Sequence, residues 1–425
     1  MAFLATFFYT NIAPQSRIIP DMKPHSISAV TRLLTVFSVC LIGMPIYGEE
    51  GQKELSDSSD FVKASVVVSS PSDVIYSSMG HCALRMECPS EDLDYCFSLE
   101  MDAGPGDYLK FFNGEADAAV RAIPMSDYVK EYQKDGRGIW QYELNLTLHE
   151  KQLLWKNLDE EMVKPPHLKF NYLNTNCVMM VIIMVQNALI GEHVDYGKLP
   201  WYATTNNGDC VRHLTKATPW YQFLYITLFG SNCDGDFSLE YRMSPESLIE
   251  VFGNARIVGN DGSSRPLFKS QPQELVHQTH YVKGSPLTPR IFFSILLILV
   301  IIITVGEWRW GWRKVAKTLD VLLFALQFLF GLMLTYISTV SHLFVTRWNW
   351  YLIPFNPLPL LIHLCFSRRK DYGKIYLFYT IVLLLFIFGT PLSSQLDIDH
   401  QLITAMLGIR TCSNYMQYRK LNQHS

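Results

Sequence analysis

Hydrophobic and polar positions change rhythm along the chain, and the changes mark its parts. Residues 61–68, Phe61-Val62-Lys63-Ala64-Ser65-Val66-Val67-Val68, form an apolar, β-branched run that predicts a strand. The segments around residues 81–86 and 95–99 read the same way. Residues 145–152 predict a helix start, with Thr147 as N-cap and Glu150 three positions later. Residues 178–190 are almost wholly apolar and directly follow Asn176-Cys177, which predicts a buried helix. This mixture is α+β with a small sheet. Beyond residue 290 the rhythm gives way to long apolar stretches. Residues 291–306, 321–341 and 375–390 contain no charge. Residues 351–366 are apolar but interrupted by Pro354, Pro357 and Pro359, and residues 401–415 carry Arg410. Crossing a bilayer core of about 30 Å takes ~20 residues, so the shorter runs must borrow flanking ones. Trp308, Trp310 and Trp312 supply an interfacial belt after the first run. The segment 348–366 reads equally as a broken or re-entrant helix, because its prolines must be screened from lipid. The expectation is an α-helical transmembrane bundle of about five helices.

The start of the chain is different again. Lys23 and Arg32 precede an apolar run over residues 33–44, and Gly48 offers a small residue for cleavage before Glu49-Glu50. These are the parts of a secretory signal, with an uncleaved anchor as the alternative. Met22 would give a signal of more ordinary length, making residues 1–21 an extension. The expected domains are a signal segment at 1–48, an extracytoplasmic domain at 49–285, a transmembrane domain at 286–416 and a cytoplasmic tail at 417–425.

Composition sharpens this division. Of the 425 residues 49% are hydrophobic and 18% charged, the net charge is −3, and aromatics reach 13%. A near-neutral chain this rich in aromatics is neither disordered nor a nucleic-acid binder acting through a basic field. The −3 is itself a cancellation of +2 over residues 1–48, −12 over 49–290 and +7 over 291–425. In the last part the positive residues fall on one side. Arg309, Arg313, Lys314 and Lys317 follow the first apolar run, Arg368, Arg369, Lys370 and Lys374 surround the next turn on that side, and Arg419 and Lys420 close the chain. The opposite loops hold Arg347 alone against Asp397 and Asp399. The positive-inside rule puts the basic loops in the cytoplasm and residues 49–290 across the membrane.

The extracytoplasmic part holds Cys82, Cys88, Cys96, Cys177, Cys210 and Cys233. An oxidising compartment permits disulfides, and Cys88 with Cys96 and Cys210 with Cys233 are the local pairings. No Cys/His spacing suits zinc. Cys177 stands apart, since it follows a polar stretch and opens a buried helix, where free N–H groups and the helix dipole lower a thiol's pKa. A nucleophilic thiolate needs a base, and His81 qualifies because Gly80 lets the backbone come close. The alternatives for Cys177 are a buried structural thiol or half of a disulfide. His363 and Arg410, ionisable groups in apolar segments, are functional candidates by position.

Several of these segments carry a resemblance. Ser78-Met79-Gly80-His81-Cys82-Ala83-Leu84-Arg85 resembles the pattern Phe-Gly-His-Thr-Ala-Leu/Ile-Arg, and residues 171–177 resemble Asp-Asn-Cys-Ala-Thr-Arg in their closing Asn-Cys. Residues 107–115 and 142–147 look similar to the same set, as do Ser341-His342, Trp348-Asn349-Trp350 and Asn356-Pro357-Leu358. The chain resembles the Lnb family of bacterial lipoprotein N-acyltransferases over roughly residues 60–416, in the order and spacing of these motifs. The resemblance implies a permuted papain-like (NlpC-type) core in which the His strand precedes the Cys helix. It makes Cys177 the nucleophile and His81 the base. Two departures stand out. Met179-Met180 replaces the family's Thr-Arg, and Phe97-Ser98-Leu99-Glu100 replaces Phe-Asn-Tyr-Gly, leaving Ser98 as the candidate third polar group.

The implied reaction moves an acyl chain from a membrane phospholipid through a Cys177 thioester to the free amine of a diacylated lipoprotein, without a cofactor, at the inner membrane. Asn176, Arg347, Trp348 and Trp350 are the expected substrate-binding residues, with an ordinary aromatic belt as the alternative for the last three. Competing readings are a cysteine peptidase or amidase acting on cell-wall peptide, and a membrane-anchored assembly protein without catalysis.

Overall fold

The computed structural model describes residues 62–101, 108–165, 168–171, 175–199, 205–235, 244–343, 346–360, 373–389 and 392–423. The expected signal segment, His363 and the end of the proline-interrupted stretch lie outside the described residues.

Among the described residues ten strands form two sheets: β1 (Lys63–Ser69), β2 (His81–Cys88), β3 (Leu93–Met101), β4 (Asp117–Pro124), β5 (Ile139–Glu143), β6 (Leu168–Lys169), β7 (Glu192–Asp195), β8 (Arg256–Gly259), β9 (Ser264–Pro266) and β10 (Gln273–Val276). The main sheet is antiparallel in the order β10-β5-β1-β2-β3-β4-β6, and β7-β8-β9 make a small second one. Seven strands exceed the small sheet expected, because β4, β5, β6 and β10 are short or weakly apolar and give little period-two signal. The continuous apolar run of β1 fits its place: six of its seven residues are buried, as in a strand covered on both faces. On one face Val67, Ala83, Cys96 and Ile139 pack against Met125, Tyr128 and Tyr132. The last three lie on the helix Met125–Lys134, which is α2 after the short α1 (Tyr108–Asn113).

α3 (Leu148–Val163) opens with the expected capping box: Glu150 N donates to Thr147 Oγ1 at 3.3 Å, and Thr147 N donates to Glu150 Oε2 at 2.7 Å. α4 (Cys177–Ala188) buries eight of its twelve residues. It packs between α3 and the strands β2 and β3, which explains why its sequence is apolar on nearly every side. α5 (Asn207–Leu214), α6 (Pro219–Leu228) and α7 (Pro245–Asn254) complete this region.

No disulfide joins the described cysteines. Cys88 pairs in register with Leu93 while Cys96 pairs with Arg85, so the two sulfurs lie three rungs apart on opposite faces. Cys96 turns onto Met125 Sδ at 3.3 Å. Cys233 is fully buried, and burial pushes its thiol up to about 12.

The C-terminal part is helical. α8 (Pro289–Trp310) and α9 (Arg313–Val340) are long and apolar enough to cross a membrane, and they meet at Gly311, whose φ of 73° makes the tight turn. α10 (Gly373–Phe388) is a shorter apolar helix. α11 (Ile398–Gln423) packs along α8 and α10 and carries Arg410, which is fully buried. Its guanidinium holds Asp320 at 2.6 and 3.0 Å, Glu307 at 3.0 Å and Thr304 at 2.9 Å.

A continuous seam ties the sheet-bearing part to these helices. Ser341 Oγ donates to Phe112 O at 2.7 Å, and His342 N to Asn113 O at 2.8 Å. Asn349 Nδ2 donates to Thr227 O at 2.6 Å, and Ser393 Oγ to Asp234 Oδ2 at 2.6 Å. His400 is fully buried at this seam, bonded through Nδ1 to Asp397 and through Nε2 to Thr227, each at 2.6 Å, between the rings of Phe223 and Tyr351. Nearby, Ile75, Phe112, Leu228, Ile337 and Leu343 line a wholly apolar crevice of about 20 Å³.

Candidate active site

Two local features bring the site together. The first is the entry to β2. Gly80 has φ +88°, and a Cβ there would lie 2.6 Å from Ser69 O, so only glycine lets the chain turn this close to β1 before His81. The turn is held from beneath by Arg137. Its guanidinium donates to Ser70 O at 2.6 and 2.8 Å and to Ser69 Oγ at 3.0 Å, and lies 4.4 Å over the ring of Tyr132. The second is the start of α4. Asn176, in extended conformation, caps it by accepting from Met179 N at 2.9 Å, and Cys177 is the first helical residue. The cap places the sulfur at the positive end of the helix dipole, partly open to solvent.

The ladder between β2 and β3 runs from Cys88/Leu93 to Leu84/Phe97 and stops there. His81 and Ser98 lie beyond it, where the strands part. His81 Nε2 is 2.7 Å from Ser98 Oγ, and Ser98 Oγ donates to Glu100 Oε1 at 2.6 Å. Glu100 Oε1 is also 3.7 Å from His81 Nε2 directly. With Nε2 engaged, Nδ1 is the imidazole nitrogen left for the sulfur.

The electrostatics separate the charges. The Cys177 thiol is held well below its ordinary range, foremost by the hydrogen bond from the Cys82 thiol; burial opposes this, and the charge and hydrogen bond of His81 with the Cys82 backbone N–H add to it. Burial works against the imidazolium of His81, yet the Cys177 charge and hydrogen bond, with Glu100, raise its pKa against that burial and against Arg137. The Cys82 thiol is pushed well up by burial and by Cys177, so it stays protonated and donates. These directions favour a thiolate–imidazolium pair with a second thiol as donor.

The structure thus brings Cys177, His81 and Ser98 together, with Asn176 as the cap beneath the sulfur. It does not bring Arg347, Trp348 and Trp350 to them. These lie exposed on the connector after α9, which is bonded to the end of α6. Trp348 is 84% exposed and adopts φ 55°, a left-handed conformation unusual for so bulky a residue. Three participants escaped the sequence reading. Glu100 could have been found, since it lies two residues from Ser98 on the same strand face. Cys82 is hidden among other apolar positions, and nothing local marks Arg137. Among the described residues no group of His, Cys, Asp and Glu converges to hold a metal ion.

The Lnb N-terminal periplasmic domain matches residues 52–208, and the Lnb transmembrane domain matches residues 281–421. The chain belongs to the Lnb family. It is therefore a membrane protein with a periplasmic N-terminal domain. Comparison with curated proteins and with solved structures gave no match. The Lnb periplasmic match includes His81, Ser98 and Cys177, and the Lnb transmembrane match includes the seam residues from Ser341 to His400. Residues 209–280 lie between the two Lnb matches and supply α6, whose Thr227 is held by His400 and Asn349 of the membrane part.

Proposed function

We propose that the protein is a thiol-dependent acyltransferase of the inner membrane. It moves an acyl chain from a phospholipid to the N-terminal amine of a diacylated lipoprotein. The periplasmic domain is read as a permuted papain-like core: a His strand precedes a Cys helix that packs on an antiparallel sheet. The membrane domain is read as a multi-pass bundle of about five helices behind a signal segment. One observation carries the activity: a lowered-pKa thiol at a helix N-terminus, paired with a histidine, in a domain bonded directly to membrane helices.

The Cys177 thiolate attacks the donor ester carbonyl, and the oxyanion formed is stabilised by the N–H groups at the α4 start. Collapse breaks the ester C–O bond, and His81 gives its proton to the departing alkoxide, leaving a thioester and a lysophospholipid. The lipoprotein amine then attacks the thioester and neutral His81 takes its proton. Breaking the C–S bond leaves an amide and restores the thiolate–imidazolium pair. Both substrates keep their chains in the bilayer, which gives the seam its purpose: it holds the thiol beside lipid. Arg347, Trp348 and Trp350 would meet phospholipid headgroups and the interface.

The test is expression of wild type and Cys177→Ala in cells without their own N-acyltransferase, with mass spectrometry of a lipoprotein's N-terminus. Wild type should give an acylated amine and three chains in all; Cys177→Ala should leave the amine free. A free amine with wild type would sink the acyltransferase reading, and acylation by Cys177→Ala would sink the site. Two chains with one on nitrogen would move the donor ester from the phospholipid to the lipoprotein itself.

A further inference from the structure

The row His81–Ser98–Glu100 has a fixed direction of hydrogen donation. A serine hydroxyl has one proton, and that of Ser98 goes to Glu100 Oε1 at 2.6 Å. Towards His81 Nε2, at 2.7 Å, Ser98 can then only accept, so Nε2 carries a hydrogen in both charge states of the ring. That leaves Nδ1 as the atom whose proton comes and goes opposite Cys177. We infer that Glu100 is a positioning residue that acts through Ser98: it fixes the tautomer of His81 and holds the imidazolium that keeps Cys177 a thiolate. The inference rests on the reading of Cys177 and His81 as the reacting pair and adds an acidic third member, two bonds from the ring and carried on β3.

The surroundings isolate this role. Ser98 is fully buried, so water does not compete for its hydroxyl. Among the described residues, the charged and titratable groups facing the row are Cys177 of α4, Cys82 beside His81 on β2, Arg137 from the connector before β5, and Tyr128 and Tyr132 of α2. Burial raises both phenols, so they stay neutral. The Arg137 guanidinium disfavours charge on His81, whereas Glu100 favours it. Glu100 is the one carboxylate among these groups.

The effect differs from a loss of packing. Glu100→Gln keeps shape and a hydrogen-bond acceptor but loses the charge, and the pair then shifts towards neutral thiol and neutral imidazole. Glu100→Asp keeps the charge. The experiment is alkylation of Cys177 by iodoacetamide as a function of pH, using full-length protein in detergent and peptide mass spectrometry to score Cys177. Wild type should react fast through neutral pH. Glu100→Gln and Ser98→Ala should slow the neutral-pH reaction by about tenfold, one pKa unit, and move the midpoint of the profile upward. Glu100→Asp should restore most of the rate. Profiles for Glu100→Gln and Ser98→Ala that superimpose on wild type would overturn the relay, as would equal slowing in Glu100→Asp and Glu100→Gln. A wild-type Cys177 that reacts no faster than an ordinary thiol would instead remove the reacting pair itself.

Discussion

Three kinds of neighbour favour the charged form of Cys177: a thiol donor, a histidine and a helix terminus. The least expected is Cys82, whose side chain gives the leading hydrogen bond to the sulfur. Because the Cys177 pKa is lowered, its thiolate should persist below the range near pH 8.5 where a free cysteine takes up a proton, and be lost only as pH falls through the lowered value. Cys82→Ala should raise the midpoint of Cys177 alkylation and slow the reaction at neutral pH by roughly tenfold, whereas Cys82→Ser, which keeps a donor, should not. An unchanged profile in Cys82→Ala would remove Cys82 from the site. At this scale the sequence was informative where one residue type has one use. Glycine before His81 and asparagine before Cys177 both signal backbone geometry, and both hold those places. Glu100 sits two residues from Ser98 on one strand face, whereas Cys82 and Arg137 act through contacts with segments distant in sequence, and such pairings have no trace in local order.

Elements show the same division between local and long-range causes. The Thr147 capping box and the apolar start of α4 were legible because a cap and its helix are neighbours in sequence. The number of strands was not, since β10 joins β5 only by returning across more than a hundred residues. Asn176 should matter twice as a cap. Asn176→Ala should cost about 1 kcal/mol of stability in thermal unfolding. It should also slow Cys177 alkylation by loosening the first turn; full reactivity in that variant would detach the cap from the site. α3 carries a different signal in Asp159, whose Oδ1 is buried without a hydrogen-bond partner and whose carboxyl burial raises to about 7. A raised carboxyl pKa adds stability that is complete below the unfolded value near 4 and lost as pH rises through about 7. Asp159→Asn should therefore flatten the stability profile between those limits. It should raise stability at neutral pH by about 1 kcal/mol once solvent screening of this half-buried group is allowed for. A steeper profile would reverse the assignment.

The whole molecule joins its two parts through polar groups rather than through apolar contact alone. In the sequence Arg410 is a charge set in the apolar run 401–415, a functional candidate by its position. In three dimensions it is the hub of α8, α9 and α11. Asp320→Ala should leave that guanidinium buried with Glu307 alone, costing about 3–5 kcal/mol and lowering the unfolding temperature in detergent. Unchanged stability would mean that Asp320 does not carry the pairing. The seam at Phe112, Thr227, Asp234 and His400 has a consequence for the substrates. A domain fastened at three stretches, Phe112–Asn113, Thr227 and Asp234, is held to the membrane helices rather than hung on a tether, which would fix the height of Cys177 above the lipid. Motion must come from the other side of the reaction. In the proposed reaction, a donor ester would have to rise to that height, and an acceptor would have to bring its amine there on whatever slack its own first residues provide. Under that proposal, the reach of an acceptor's extended leader would help decide which acceptors are modified.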